Sequence, residues 1–342
     1  MKKLFIIGNG FDLAHNIPST YESFRQYLIS LLNDISGKNY KNYSFDDSSI
    51  ITTDYNDTLE NEILTIMYFL SNAEAILAQS KTKTRAPLNN DIIWKEIEKS
   101  VGDLNYDDFS WLYVDESAND KENRANMINE DILSPYVKVL CKISKYFSEW
   151  INQIVVDDAK KCRIKDFENM IDSNSKFLCF NYTDTLETVY KINREDICYI
   201  HGKIKESNNI FFGHGNGLTY EDFINDINNP NHFSVAAGYS TINDVLSKPV
   251  ECIIEKNNEF FESLTDIEYI FSYGFSYGVV DEPYIARIIS SVSNNVIWNV
   301  VLSRSKSIKK IFPSLEEQKQ YIEIIEKCGY KGSVKKFEVN IN

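Results

Sequence analysis

The sequence predicts an α/β fold: a mainly parallel sheet whose segments are separated by a large all-helical insertion. Three observations predict it. The apolar run Leu4 to Ile7 shows no polar alternation and is closed at once by glycine, the pattern of a strand buried on both faces. From about residue 175 onward, strand-like runs alternate with helix-like periods. Between these two regions, residues 36–170 carry helical spacing and no convincing strand. The predicted organisation is therefore an α/β domain of residues 1–35 and 171–342, split by a helical insertion or cap of residues 36–170.

Each element follows in order. After Leu4 to Ile7 comes Gly8-Asn9-Gly10-Phe11-Asp12, then a helix capped by Ser19 or Thr20, with Phe24, Tyr27, Leu28 and Leu31 at helical spacing. The polar stretch 36–49 reads as a loop. Residues 58–80 read as a helix on Leu59, Ile63, Ile66, Met67, Leu70, Ile76 and Leu77. A basic break at 81–87, a helix over 92–101, a charged loop at 115–123 and a long helical stretch over 125–161 complete the insertion. The strand pattern resumes at 176–180, followed by a turn and helix over 181–192 and short strands at 197–200 and 209–213. Helices are predicted over 219–228, 243–263, 281–292 and 314–328, and strands over 267–274, 296–302 and 334–339.

Composition narrows the function. The 342 residues include 50 acidic and 36 basic side chains, a net charge of −14, which disfavours binding to a phosphate backbone through a basic surface. A small anionic ligand held by backbone amides stays compatible with that field. No stretch reaches the roughly 20 apolar residues of a membrane helix. The apolar run after Lys2-Lys3 is too short for a signal peptide, so a cytoplasmic, membrane-free protein is expected. The six cysteines are scattered without CxxC spacing, so no zinc site is expected. The pairs Asp46-Asp47, Asp107-Asp108 and Asp157-Asp158 read as solvated faces rather than metal ligands. The 21 Tyr and 20 Phe point to an aromatic core or pocket.

In a parallel sheet, ligands bind beyond the carboxyl ends of strands. Five polar or glycine-rich points fall there: Gly8-Asn9-Gly10, Asn181, His201, His214 and Ser276. The glycines serve either a tight turn or a phosphate faced by backbone amides. His201 is either a general base, with an ordinary pKa of about 6.5, or a packed histidine. Asn181 either holds a sugar hydroxyl or caps a helix, as Thr183 and Asp184 also could. His214 is pocket wall or loop residue. Asp281 reads most simply as a helix cap. His15 and His232 carry no functional context. Phe11, Tyr182 and Tyr277 are candidates to line the pocket.

Taken together, LFIIGNGFDLAHNIPSTYESF, FNYTDTLETVY with the following IHG, FGHG and SYGFSYGVVDEPY resemble the AbiH family of bacteriophage abortive-infection proteins. More distantly they resemble the Rossmann-like NAD-binding fold of the sirtuins, with Gly8, Gly10, Ile17 and Pro18 at the places of the sirtuin glycine loop. This resemblance implies a cytoplasmic anti-phage effector that hydrolyses NAD and releases nicotinamide. It implies Asn181 and His201 as catalytic residues. It implies nucleotide contacts from Gly8, Asn9, Gly10, Phe11, Asp12, Pro18, Gly202, His214, Gly274, Ser276 and Asp281, and no metal. A phage-derived trigger and a homo-oligomer that restrains the activity are part of the same expectation. Departures are visible. Asn9 and Asp12 replace small residues, Asn16 replaces a glycine, the acid of Tyr-Thr-Asp is shifted by one, and His214 replaces an acid. The zinc module of sirtuin deacetylases is missing, so deacetylation is not expected. The alternative is a non-catalytic module that senses a nucleotide or binds a phage component and acts through a partner. A nuclease is disfavoured by the acidic charge and the lack of a clustered carboxylate site.

Overall fold

A computed structural model describes residues 1–45, 58–83, 94–103, 135–205, 210–226, 233–305 and 310–341. The predicted features at 46–49, 84–87, 115–123 and 125–134, together with Asp46-Asp47, Asp107-Asp108, Asn209 and His232, lie outside the described residues. The chain forms two compact units. One holds Met1–Thr20, Ser148–Phe211 and Pro249–Asn342; the other holds Tyr21–Phe147 and Phe212–Lys248.

The first unit is built on one sheet. Its strands are β1 (Lys3–Ile7), β2 (Ser175–Cys179), β3 (Ile197–Tyr199), β4 (Tyr269–Tyr273), β5 (Ile297–Ser305), β6 (Lys310–Phe312) and β7 (Ser333–Ile341). They lie in the order β3-β2-β1-β4-β5, with β7 on the far side of β5. All of these pair in parallel, and β6 alone runs antiparallel, against the end of β5. The order reverses direction between β1 and β4, which is the switch point of a Rossmann-like sheet. β6 was not predicted, and the strand expected at 209–213 is absent from residues 210–213. Phe212 packs instead against Phe147 and Trp94 in the other unit, so it has no sheet edge to join.

The two faces of the sheet carry different cores. On one face Leu4, Ile6, Leu178, Ile270, Trp298 and Val300 pack with Phe261, Leu264, Ile285 and Ile288. On the other face the parallel register aligns Phe5 with both Phe177 and Phe271. Their rings stack across three neighbouring strands, at 5.1 Å and 5.4 Å between centroids. Phe167, from the helix Lys165–Glu168, closes this face edge-on against Phe5, Phe11 and Tyr273. That packing is why 148–170 joins the sheet unit, whereas the sequence reading had placed it in the insertion. The long helix predicted over 125–161 ends earlier, with a helix at Ile143–Ile151 and a separate 3-10 turn at Asp157–Cys162. Pro249 divides the predicted helix 243–263, because it cannot donate to a continuing helix. The later elements match prediction closely. Pro283 sits in the first turn of Glu282–Ser291, and Ser314 with Glu317 forms a capping box at the head of Leu315–Lys327.

The second unit, among its described residues, is helical: Tyr21–Ser36, Leu59–Lys83, Trp94–Gly102, Tyr220–Asp226 and Phe233–Val245. The helix Tyr21–Ser36 belongs here rather than to the sheet domain. Its Tyr21 hydroxyl donates to Glu74 at 2.6 Å, and Arg25 pairs with the same carboxylate at 3.2 Å. Trp94 gathers the rings of Tyr21, Phe24, Phe147 and Phe212. A buried ion pair, Lys248 to Glu98 at 2.7 Å, ties 212–248 into this unit. Among the described residues, no helix is long and apolar enough to cross a membrane.

Removing the central ring of the stacked trio tests its weight. Phe5→Ala is expected to lower unfolding free energy by about 3–5 kcal/mol in urea titrations, the range for emptying a buried aromatic site.

Candidate functional site

The carboxyl ends of β1, β2, β3 and β4 bring together most of the expected residues. After β1, Gly8 leads into the helix Asn9–Ala14; after β4, Gly274 leads into Phe275. These two turns touch backbone to backbone. Gly8 N–H donates to the Tyr273 carbonyl at 3.0 Å, and Gly10 N–H donates to the Gly274 carbonyl at 2.9 Å. A Cβ on Gly8 would lie 2.5 Å from the Gly274 oxygen, and one on Gly10 would lie 2.8 Å from the Gly274 Cα. Gly274 itself has φ +63°, and its Cβ would meet the Phe11 nitrogen at 2.2 Å. The glycines are therefore required by a second stretch of protein at the switch point. Their amides are engaged within the fold, which corresponds to the tight-turn alternative.

From β2, Asn181 is 5% exposed, and its Nδ2 donates to the Gly8 carbonyl at 3.0 Å. It is not a helix cap: the following helix begins at Thr185, with Asp184 at the cap position. Asp12 is 1% exposed. The Thr183 hydroxyl contacts its Oδ2 at 2.7 Å, the Thr185 hydroxyl its Oδ1 at 2.8 Å, and the two hydroxyls lie 2.9 Å apart. Burial pushes the Asp12 carboxyl up to about 6, against the opposing donors Thr183, Thr185 and Asn181. From the sequence alone Thr183 is only a possible helix cap and Thr185 carries no reading, so their part in holding Asp12 is a finding of the structure.

From β3, His201 is 4% exposed and sits among the rings of Phe180, Tyr182 and Tyr284, at 5.2 to 6.2 Å between centroids. Its carbonyl accepts from Phe211 N–H, and Gly202 follows with φ +90°. Ser276 is half-buried just past β4. Asp281 is buried at the cap position of Glu282–Ser291, yet its side chain makes no capping hydrogen bond. Asn9 accepts from the Ser19 hydroxyl at 2.6 Å, and Pro18 is exposed. Asn16, where a glycine was expected, adopts φ +57°, a conformation that asparagine tolerates better than most residues.

Other expected residues lie elsewhere. His214 belongs to the second unit, where Lys248 N–H donates to its carbonyl and burial lowers its imidazole to about 4. Phe11 is wholly buried in the aromatic face. Tyr277 is buried too, donating to Ser272 at 2.6 Å and accepting from Trp298 at 3.1 Å. Neither lines a pocket. Tyr182 donates to the Phe211 carbonyl at 2.7 Å. His15 is structural: its Nδ1 contacts the Phe11 carbonyl at 2.7 Å and so donates, and Nε2 accepts from the Tyr190 hydroxyl at 2.6 Å. Burial lowers its pKa and keeps it neutral, as that pattern requires. Among the described residues, no cluster of three or more His, Cys, Asp and Glu could hold a metal ion.

A model of the family described as bacteriophage abortive infection AbiH matches residues 4–302, which spans every strand end described above. The chain belongs to the AbiH family. Membership assigns it a role in abortive infection against bacteriophage. No curated protein and no solved structure matches this AbiH chain.

Gly217 and Gly274 both have positive φ, but a Cβ on Gly217 meets nothing within 4 Å. Gly217→Ala is expected to cost about 1 kcal/mol in thermal melts, and Gly274→Ala more than about 3 kcal/mol because backbone atoms must also move. The raised Asp12 pKa means that folding favours its protonated form. Its contribution to stability is therefore lost as pH rises from about 4 to about 6. Across that window the wild type should lose about 3 kcal/mol relative to Asp12→Asn, measured by urea unfolding at each pH.

Proposed function

We propose that this AbiH chain is an anti-phage effector that hydrolyses NAD in the cytoplasm, cleaving the bond between ribose and nicotinamide. The observation that supports it best is the gathering of Asn181, His201 and the Gly274–Ser276 turn at the carboxyl ends of adjacent parallel strands. That is where Rossmann-like sheets bind nucleotides. The resemblance of these segments to the sirtuin NAD site supports the same reading.

In this reading Asn181 faces the nicotinamide ribose. Its Nδ2 is held by the Gly8 carbonyl, which leaves the amide oxygen to orient a ribose hydroxyl or a water. His201 takes the proton from the attacking water. The water oxygen bonds to the anomeric carbon as the carbon–nitrogen bond breaks, and nicotinamide leaves as a neutral molecule with the bonding pair. The products are ADP-ribose, nicotinamide and a proton. The transition state resembles the oxocarbenium ion of glycoside cleavage. A preorganised, water-poor surround lowers its energy, and His201 and Asn181 are both nearly excluded from solvent. A phage-derived trigger and a homo-oligomer that holds the activity in check complete the proposal.

A second reading, nucleotide sensing without turnover, is favoured by one observation: the Gly8 and Gly10 amides are already engaged within the protein. The two readings separate in one assay. Nicotinamide release is followed by chromatography for wild type, His201→Ala and Asn181→Ala, with phage lysate as activator. Hydrolysis predicts release that drops about 10²–10⁴-fold in either variant. Sensing predicts no release from any of the three, with a Tm that rises on adding NAD.

A further inference from the structure

We propose that the outer edge of β7 is a dimerisation surface whose partner is a second copy of this chain, the two strands pairing antiparallel about Phe337. This gives the proposed homo-oligomer a surface, and it rests on that part of the reading alone, not on NAD chemistry.

β7 pairs with β5 without a break from Ser333 to Ile341. Among the described residues, no strand lies beyond it. Lys335, Lys336, Glu338 and Asn340 are exposed, and Phe337 is half-buried, edge-on to Phe271 at 5.4 Å. A long strand edge presents open N–H and C=O groups, and proteins usually blunt it with a proline, a bulge or a cover. β7 has neither proline nor bulge. Among the described residues, the hydrogen bonds to this edge are those of Asp166. Its carboxylate accepts from the Asn340 main-chain N–H at 2.9 Å and from the Asn340 side chain at 2.8 Å.

That contact fixes which groups face outward. Along a regular strand, main-chain groups alternate between the two sides with a period of two. Asn340 turns its N–H away from β5, so Glu338, Lys336 and Val334 do the same. A closed dimer across this edge needs a two-fold axis. Outward residues must then meet outward residues, so the axis falls on a residue and not between two. Placed on Lys335, Lys336 or Glu338, it sets a charged side chain against its own copy. Placed on Phe337, it sets Lys336 opposite Glu338 of the second copy, and Glu338 opposite Lys336. Phe337 then meets its own copy in a non-hydrogen-bonded pair, where side chains come closest.

Lysines on an edge ordinarily deter an incoming strand. In this one register Lys336 is answered by an acid. Glu338 already pairs with Arg304 at 2.8 Å, and a carboxylate has lone pairs to accept from a second cation. Because Asp166 holds the Asn340 N–H, the ladder covers residues 335–339. So short a ladder makes a weak, concentration-dependent dimer.

Sedimentation velocity of the full chain tests this, in a series reaching about 100 μM, where a dimer of micromolar affinity is visible. The wild type is expected to pass from monomer to dimer across the series. Lys336→Glu and Glu338→Lys should each raise the dissociation constant about ten-fold or more, because two attractive pairs become two repulsive ones. Both substitutions together put opposite charges face to face again and should restore the dimer. Circular dichroism checks that each variant is folded. A wild type that stays monomeric throughout overturns the proposal. A dimer indifferent to the single exchanges overturns it too, since that dimer uses another face. So does a double exchange that fails to restore what the single ones lost. Nicotinamide release decides the hydrolase reading separately: a dimer restored by the double exchange, with no release, leaves this surface standing and removes that reading.

Discussion

The sheet unit depends on two stretches of main chain being allowed to touch. At the switch point the turn after β1 and the turn after β4 meet with no side chain between them, through Gly8, Gly10 and Gly274. Two hydrogen bonds join them, from Gly8 to Tyr273 and from Gly10 to Gly274. This contact sets where the short helix Asn9–Ala14 starts, and hence where Asp12 points. Asp12 in turn engages Thr183 and Thr185, and Asn181 reaches back to the Gly8 carbonyl. Three strand ends are thereby fixed to one another by main-chain atoms and one buried carboxyl. The side chains that span the gap, Asn181, Thr183, Thr185 and Asp12, are short and buried, which favours a fixed geometry there.

Beneath that edge, the two faces of the sheet solve the packing problem differently. One face mixes Leu, Ile and Val with Trp298 and the rings of Phe261, Tyr284 and Tyr321. The aromatic face is filled by rings in register, which is possible because parallel strands place identical positions side by side. The second unit uses rings again, around Trp94, and adds a buried ion pair. More than half of the Tyr and Phe residues are buried in the protein, the aromatic face and the Trp94 cluster holding about ten of them.

Legibility in the sequence followed the range of the interaction. Strands buried on both faces have a local signature, so β1, β2, β4 and β5 were readable. β6 is three residues long and exists only because β5 outruns β4, a fact of register that no local pattern carries. The strand expected at 209–213 failed for the converse reason: Phe212 packs on Trp94 and Phe147, while Phe211 packs against the core of the sheet unit. At the site, Asn181 and His201 were found from their positions after strands. The glycines were found too, but their neighbour, Gly274, lies more than 260 residues away in the chain. The roles of Thr183 and Thr185 were hidden: Thr183 looks like a helix cap, and Thr185 carries no local signal until Asp12 is placed beside it. A weak signal existed: an aspartate in a glycine loop, where small residues are usual, demands partners.

The central position of β1 has a consequence for how the protein is made. Its two neighbours are β2, ending at Cys179, and β4, ending at Tyr273. At roughly 5–20 residues per second, a ribosome needs some tens of seconds after β1 to deliver β4. Until then one edge of β1 has open N–H and C=O groups, and the glycine turn has nothing to rest against. Incomplete chains therefore lack the site altogether rather than holding a weakened form of it. A cell whose protein synthesis is cut short by infection gains no new functional copies from unfinished chains, and must rely on those completed beforehand.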